Sequence, residues 1–193
     1  MKIIDTLMKF QKSIHTLERF LYIIPEPNRT ACMELFFQER ARFHRAPGST
    51  HNHQAWSGGY LDHIVETMTI AELIFDPLNA KRKLPFTLGD VILCLFLHDV
   101  EKPWKYVLGE NELEDADLST KEKRHEFRRE IISKYGFKLT DEHWNGIEFA
   151  EGEIHQYSNR ERHMGRLAAF VHMCDVWSAR GWYDEPLKER TKL

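Results

Sequence analysis

His98 and Asp99 are adjacent, and they follow the most apolar run in the chain, Val91-Ile-Leu-Cys-Leu-Phe-Leu97. An ionised carboxylate at the end of such a run is costly unless a counter-charge or a metal ion meets it. Neighbours on a helix point about 100° apart. They share one ion only where it lies between their directions, most readily at a fraying helix end, and Pro103 marks such an end here. Asp175 poses the same demand. At three- and four-residue spacing it meets Val171, His172, Ser178 and Ala179, a small and mostly apolar face. His63 shares a stripe with Thr67, Ile70 and Ile74. Two imidazoles and two carboxylates suit a borderline or hard divalent ion: Mn, Fe, Co, Ni, Zn or Mg. The bland alternative, a set of unrelated core polar groups, requires each of them to find a partner of its own.

The elements that must carry these residues are helical. Ile3, Ile4, Leu7, Phe10, Ile14, Leu17, Phe20 and Leu21 recur at helical spacing, and Pro25 and Pro27 end that pattern. A second helix is expected over Thr30–Phe43. Residues 44–59 read as a loop, rich in glycine and in His44, His51, His53 and Trp56. Tyr60–Phe75 resumes helical spacing and carries His63. Thr87-Leu-Gly-Asp90 has the form of a capping box and opens a buried helix to Val100. Lys105–Leu108 and Glu112–Glu114, either side of Gly109, predict one small β-hairpin. Ser119 and Glu122 predict the cap of a helix that ends at Tyr135-Gly136. Thr140 caps a short helix to Ala150. Ser158 and Glu161 predict the start of a last long helix, which runs to Tyr183 and carries Asp175. The expected fold class is all-α, a bundle of six to seven helices.

Composition narrows the function classes. The length, 193 residues, suits one domain with its own core. A net charge of −3 lacks the basic balance of a duplex binder. Cys32, Cys94 and Cys174 are odd in number and form no C-x-x-C pair, which reads as reduced, buried thiols. No apolar run is long enough to span a membrane, and the N-terminus shows no secretory pattern. The expected location is cytoplasmic, with no membrane partner.

The order His63, His98-Asp99, Asp175 resembles the H…HD…D signature of the HD superfamily of metal-dependent phosphohydrolases. Gly58-Gly-Tyr-Leu-Asp-His63 is similar to that superfamily's GG-x-x-x-H segment. His98-Asp-Val-Glu-Lys102 is similar to its HD-x-x-K segment, with Glu101 where glycine is more usual. His172-Met-Cys-Asp175 with Ser178-Ala-Arg180 resembles its closing aspartate helix. Asn52-His-Gln-Ala-Trp-Ser-Gly-Gly59 is most similar to the HD domains of bacterial 3′–5′ exoribonucleases. The resemblance covers residues 44–182. It implies a single HD domain over 1–183, with an N-terminal helical extension at 1–43 and a charged tail at 184–193.

Many members of that superfamily bind two metals through two further histidines, and the resemblance assigns His125 and His155 to those places. His143 competes for the first, and His163 and His172 for the second. One or two divalent ions would activate a water for attack on phosphorus, with Asp99 as the central catalytic carboxylate. Lys102, one turn past the pair, and Arg180 would hold phosphate oxygens. His53 and Trp56 are expected substrate contacts, the indole by stacking on a base. The expected activity is hydrolysis of a phosphoester or phosphoanhydride in a nucleotide or deoxynucleotide. The alternatives are a 3′–5′ exonuclease on single-stranded nucleic acid, a diiron HD-type oxygenase and a non-catalytic nucleotide-binding domain. A homo-oligomer is compatible with each.

Overall fold

The computed structural model describes residues 16–106, 118–153 and 156–182. Residues 16–21 are helical and lead into α1 (Asn28–Gln38) and α2 (Arg40–Arg45). The single helix expected over Thr30–Phe43 is therefore two, broken at Glu39, whose φ of −102° and ψ of 16° leave the helical region. The break lets Phe36 and Phe43 both reach the core, with their rings edge to face at 5.6 Å.

α3 (Gly59–Lys81) outruns its expected end and passes through Pro77. The proline leaves the Leu73 carbonyl without its helical donor. Leu73 is 63% exposed, so water can take that bond. α4 (Leu88–Leu97) begins in the expected capping box, with Thr87 and Asp90 each bonding the other's backbone N–H. Every side chain from Val91 to Leu97 is buried, which makes α4 the central element, packed on α3, α7 and α8. After a turn at residues 98–101 the chain restarts as α5 (Lys102–Tyr106). Lys105 and Tyr106, expected in a hairpin, are thus helical; the rest of that expected hairpin lies outside the described residues.

α6 (Lys121–Lys134) is capped by Thr120, whose Oγ1 accepts the Lys123 N–H, in place of the expected Ser119. It ends as expected at Gly136, where φ is +71°. Thr140 caps α7 (Asp141–Glu148). α8 (Arg166–Arg180) starts after Gly165, not at Ser158. Ser158 Oγ instead takes the Arg160 N–H in a tight turn, and Glu153 Oε1 takes those of His163 and Met164. A competing local bond thus diverts the predicted cap.

No strand occurs among the described residues, and the fold is all-α. One apolar cluster runs from Leu17 to Cys174. The segment before α1 belongs to it, since Leu17, Phe20, Leu21 and Ile24 are fully buried. Each such side chain contributes about 1.5–3 kcal/mol by leaving water. Gly89 lets this segment close on α4, because a Cβ there would meet the Ile23 carbonyl oxygen at 2.8 Å. No helix of the described residues is long and apolar enough to cross a membrane.

Candidate metal centre

The packing of α3, α4 and α8 brings the four residues of the first motif to one point. One ligand atom from each of His63, His98, Asp99 and Asp175 lies within 4.8 Å of all the others. His63 Nε2 is 3.1 Å from Asp175 Oδ1 and 3.7 Å from Asp99 Oδ2. His98 Nε2 is 3.1 Å from Asp99 Oδ2 and 3.5 Å from Asp175 Oδ1. Neither Nε2 makes a hydrogen bond among the described residues, although both are buried. The carboxylate oxygens are near but off the line of an N–H donor. Buried ring nitrogens that face carboxylates without bonding them have the form of ligands awaiting a shared cation.

The far side of each ring fixes its tautomer. His98 Nδ1 is 2.8 Å from the Leu95 carbonyl oxygen, which can only accept, so the Nδ1 is the donor. His63 Nδ1 is 3.0 Å from Ser178 Oγ, and Ser178 donates its own proton to Glu66 Oε2 at 2.6 Å. The serine oxygen is thus left to accept from His63. When either ring is neutral, its lone pair therefore sits on Nε2, on the side of the carboxylates.

Electrostatics agree with a cation-seeking pocket. Burial opposes a charge on His98, but Asp99 and Asp175 outweigh it and raise its pKa to about 10. Burial holds His63 below its ordinary value. Burial alone would raise Asp99; Lys102 and His98 beside it reverse that and hold it well below the carboxylate range. Asp175 is depressed in the same way, against burial, by His63 and His98. The field that favours a proton on His98 would favour a divalent cation between the same carboxylates.

Lys102 stands on Asp99. It opens α5 and its Nζ pairs with Asp99 Oδ2, with only 13% of its side chain exposed. The adjacent Glu101 is 3% exposed and receives both ends of the Arg128 guanidinium from α6. The glutamate that departs from the usual motif therefore docks a neighbouring helix.

The loop before α3 is fastened over the site. Gly58 has φ +83°, which suits glycine, and a Cβ on Gly59 would sit 1.8 Å from the Gln54 carbonyl oxygen. That oxygen accepts from the Gly48 and Trp56 amides. Ser49 Oγ accepts the Asn52 and His53 amides and donates to the His53 carbonyl. The His53 ring ends 4.9 Å from the His63 ring. Burial, then His63 and Lys102, lower its pKa to about 4. Trp56 is 9% exposed and its indole N–H donates to Asp62 Oδ2 at 2.8 Å, so it holds the loop to α3 rather than offering an open face to a base.

The other expected site residues stand apart. His125 is half-buried on α6 and is not among the converging four; Arg128, one turn on, is the residue that reaches the site's flank. His155 lies outside the described residues. Arg180 is exposed at the end of α8, about 140° around the helix from Asp175. Among the competitors, His143 bonds Asp90 and the Thr140 amide, and His172 Nδ1 donates to the Ala150 carbonyl. The sequence reading missed Glu66, Gln54 and the Glu101–Arg128 pair. A signal existed: Glu66 is three residues past His63, and Ser178 three past Asp175, so each shares a helix face with a proposed ligand.

No family model, no curated protein and no solved structure matches this chain. The residues present nonetheless fit a divalent ion in donor type, burial and tautomer.

Proposed function

We propose that this protein is a metal-dependent phosphohydrolase acting on a nucleotide or deoxynucleotide. The convergence of two histidine Nε2 atoms and two carboxylates in a buried pocket, with Lys102 on one of those carboxylates, carries the reading. His63, His98, Asp99 and Asp175 would hold the ion. Bound there, it would supply Lewis acidity toward a phosphoryl oxygen and make a water acidic enough to attack near neutral pH.

The chain's own groups do the rest. Asp99 and Asp175 bring the negative charge that would hold a cation, and only through that cation would they tolerate a phosphate beside them. Lys102 supplies a nearly buried ammonium beside them, placed to neutralise a phosphoryl oxygen or the departing group. His53, neutral near physiological pH and beside His63, is placed to bond the substrate at the pocket edge. The fastened loop excludes bulk water from that side. A one-ion hydrolase needs only the four converging groups, whereas a two-ion hydrolase and the diiron oxygenase alternative both draw also on His125, which lies outside the converging group among the described residues.

The test is phosphate or pyrophosphate release from ribo- and deoxynucleotides and short single strands. Metal-stripped protein is reloaded separately with Mn, Co, Ni, Mg, Zn or Fe, beside Asp99→Ala. Metal-dependent turnover that the variant lacks supports the proposal. Turnover only on strands would move the substrate to nucleic acid. Metal binding without turnover on any phosphoester would overturn the hydrolase reading.

A further inference from the structure

Behind the proposed metal ligands lies a second layer of polar groups that the proposed reaction does not use. Glu66 Oε2 receives the Ser178 hydroxyl at 2.6 Å and the Gln54 amide Nε2 at 2.7 Å. Gln54 Nε2 also reaches Ser178 Oγ at 3.2 Å and the Ser178 carbonyl at 3.4 Å. Ser178 is fully buried and Gln54 is 1% exposed. Two rings hang from this pair. His63 Nδ1 faces Ser178 Oγ at 3.0 Å, and His53 Nδ1 faces Gln54 Oε1 at 2.7 Å.

Donor and acceptor counting makes the layer directional. A carboxylate oxygen only accepts, so the serine proton and an amide proton both point to Glu66. The serine oxygen, having given its proton away, must accept from His63. The glutamine, having turned its nitrogen to Glu66, presents its oxygen to His53. Both imidazoles then carry their proton on Nδ1 and leave Nε2 bare.

We propose that Glu66 is a positioning residue: through Ser178 and Gln54 it sets the proton on Nδ1 of both His63 and His53. The proposal rests on the reading of His63 as a metal ligand, because the bare Nε2 of that ring is the atom that would take the ion. Without the carboxylate, the Ser178 hydroxyl is free to donate to His63 Nδ1. The ring would then hold its proton on Nε2, where it would point at the metal position and block ligation. Lost second-layer partners of this kind typically weaken metal binding by about 10–100-fold.

The experiment has two readouts on wild type, Glu66→Ala, Glu66→Gln and Ser178→Ala. Imidazole nitrogen NMR of the metal-free protein reports which nitrogen of His63 and His53 carries the proton. Direct titration with Co2+ reports affinity. The expected result is Nδ1–H in wild type for both rings. In Glu66→Ala the His63 ring moves toward Nε2–H and Co2+ affinity falls about 10–100-fold. Glu66→Gln, whose amide oxygen still accepts, is expected to restore most of both. Ser178→Ala, which removes the intermediary, is expected to free the His63 ring while leaving His53 set by Gln54; it also serves if Glu66→Ala fails to fold. An Nε2–H ring in wild-type His63, or an unchanged tautomer in both Glu66→Ala and Ser178→Ala, overturns the proposal. Wild type that shows Nδ1–H and binds no Co2+ would overturn the metal reading instead, and with it the purpose assigned to Glu66.

Discussion

Arg128 meets Glu101 with both ends of its guanidinium, Nε on Oε2 at 3.1 Å and Nη2 on Oε1 at 3.0 Å, and both residues are buried. Glu101 sits between Asp99 and Lys102 in sequence, so this pair fixes α6 against the turn that carries the proposed ligands. Removing one partner of a buried pair leaves the other charge uncompensated. Arg128→Met is expected to lower unfolding stability by about 3 kcal/mol in urea. The double variant Glu101→Leu/Arg128→Met is expected to recover most of that loss. A double variant no more stable than the single one would show that the pair's charge is not what costs.

A second tie joins the starts of two helices. His143 Nδ1 accepts the Thr140 amide, and its Nε2 donates to Asp90 Oδ1 at 3.0 Å, while Asp90 Oδ2 takes the Thr87 amide and hydroxyl. The His143 bond holds Asp90 down to about 2, with burial opposing and Thr87 helping. A depressed carboxylate lends stability that is fully present above the unfolded value of about 3.9 and is lost as pH falls through its folded value. Wild type is therefore expected to lose stability between pH 4 and 2 more steeply than His143→Ala. Parallel slopes in acid unfolding curves would remove His143 from this role.

Gly59 lies against the Gln54 carbonyl, which itself holds the Gly48 and Trp56 amides. Gly59→Ala would force a Cβ into that oxygen. The loop must shift, so hydrogen exchange at the Gly48 and Trp56 amides is expected to speed up at least about tenfold, a loss of about 1.4 kcal/mol of local protection. Unchanged exchange would mean that α3, not the loop, absorbs the methyl.

The three thiols are buried, and burial raises all of them, Cys174 to about 12. A thiolate is the reactive form. At pH 8 the folded protein is expected to take up no iodoacetamide over hours, and urea-unfolded protein is expected to take up three equivalents. Rapid labelling of folded protein would place a cysteine at the surface.

Much of this was legible in the sequence because it rests on period and on cost. The all-round apolar run of α4 forced a buried centre, and the Thr87–Asp90 cap fixed where it starts. His63, His98, Asp99 and Asp175 stood out because isolated polar groups on apolar faces need one another. The errors arose where local bonds compete. Ser158 had the spacing of a cap, but its hydroxyl closes a turn at Arg160. Glu39 breaks the helix expected over Thr30–Phe43 although neither glycine nor proline marks that point in the sequence. Trp56 and Arg180 have suitable chemistry, but only packing shows that one is tied to Asp62 and the other lies off the Asp175 face. Glu66 shares a helix face with His63, but its role depends on Gln54 and Ser178 from two other segments.

His63, His98, Asp99 and Asp175 are proposed to hold a divalent cation. Equilibrium dialysis against Mn2+, Co2+ and Zn2+, followed by metal analysis of the retained protein, measures it directly. One ion per wild-type chain is expected for at least one of these metals, and its loss in His98→Ala and Asp175→Ala chains that circular dichroism shows to be folded. Wild type that retains none of the three, or folded variants that retain as much as wild type, would contradict it.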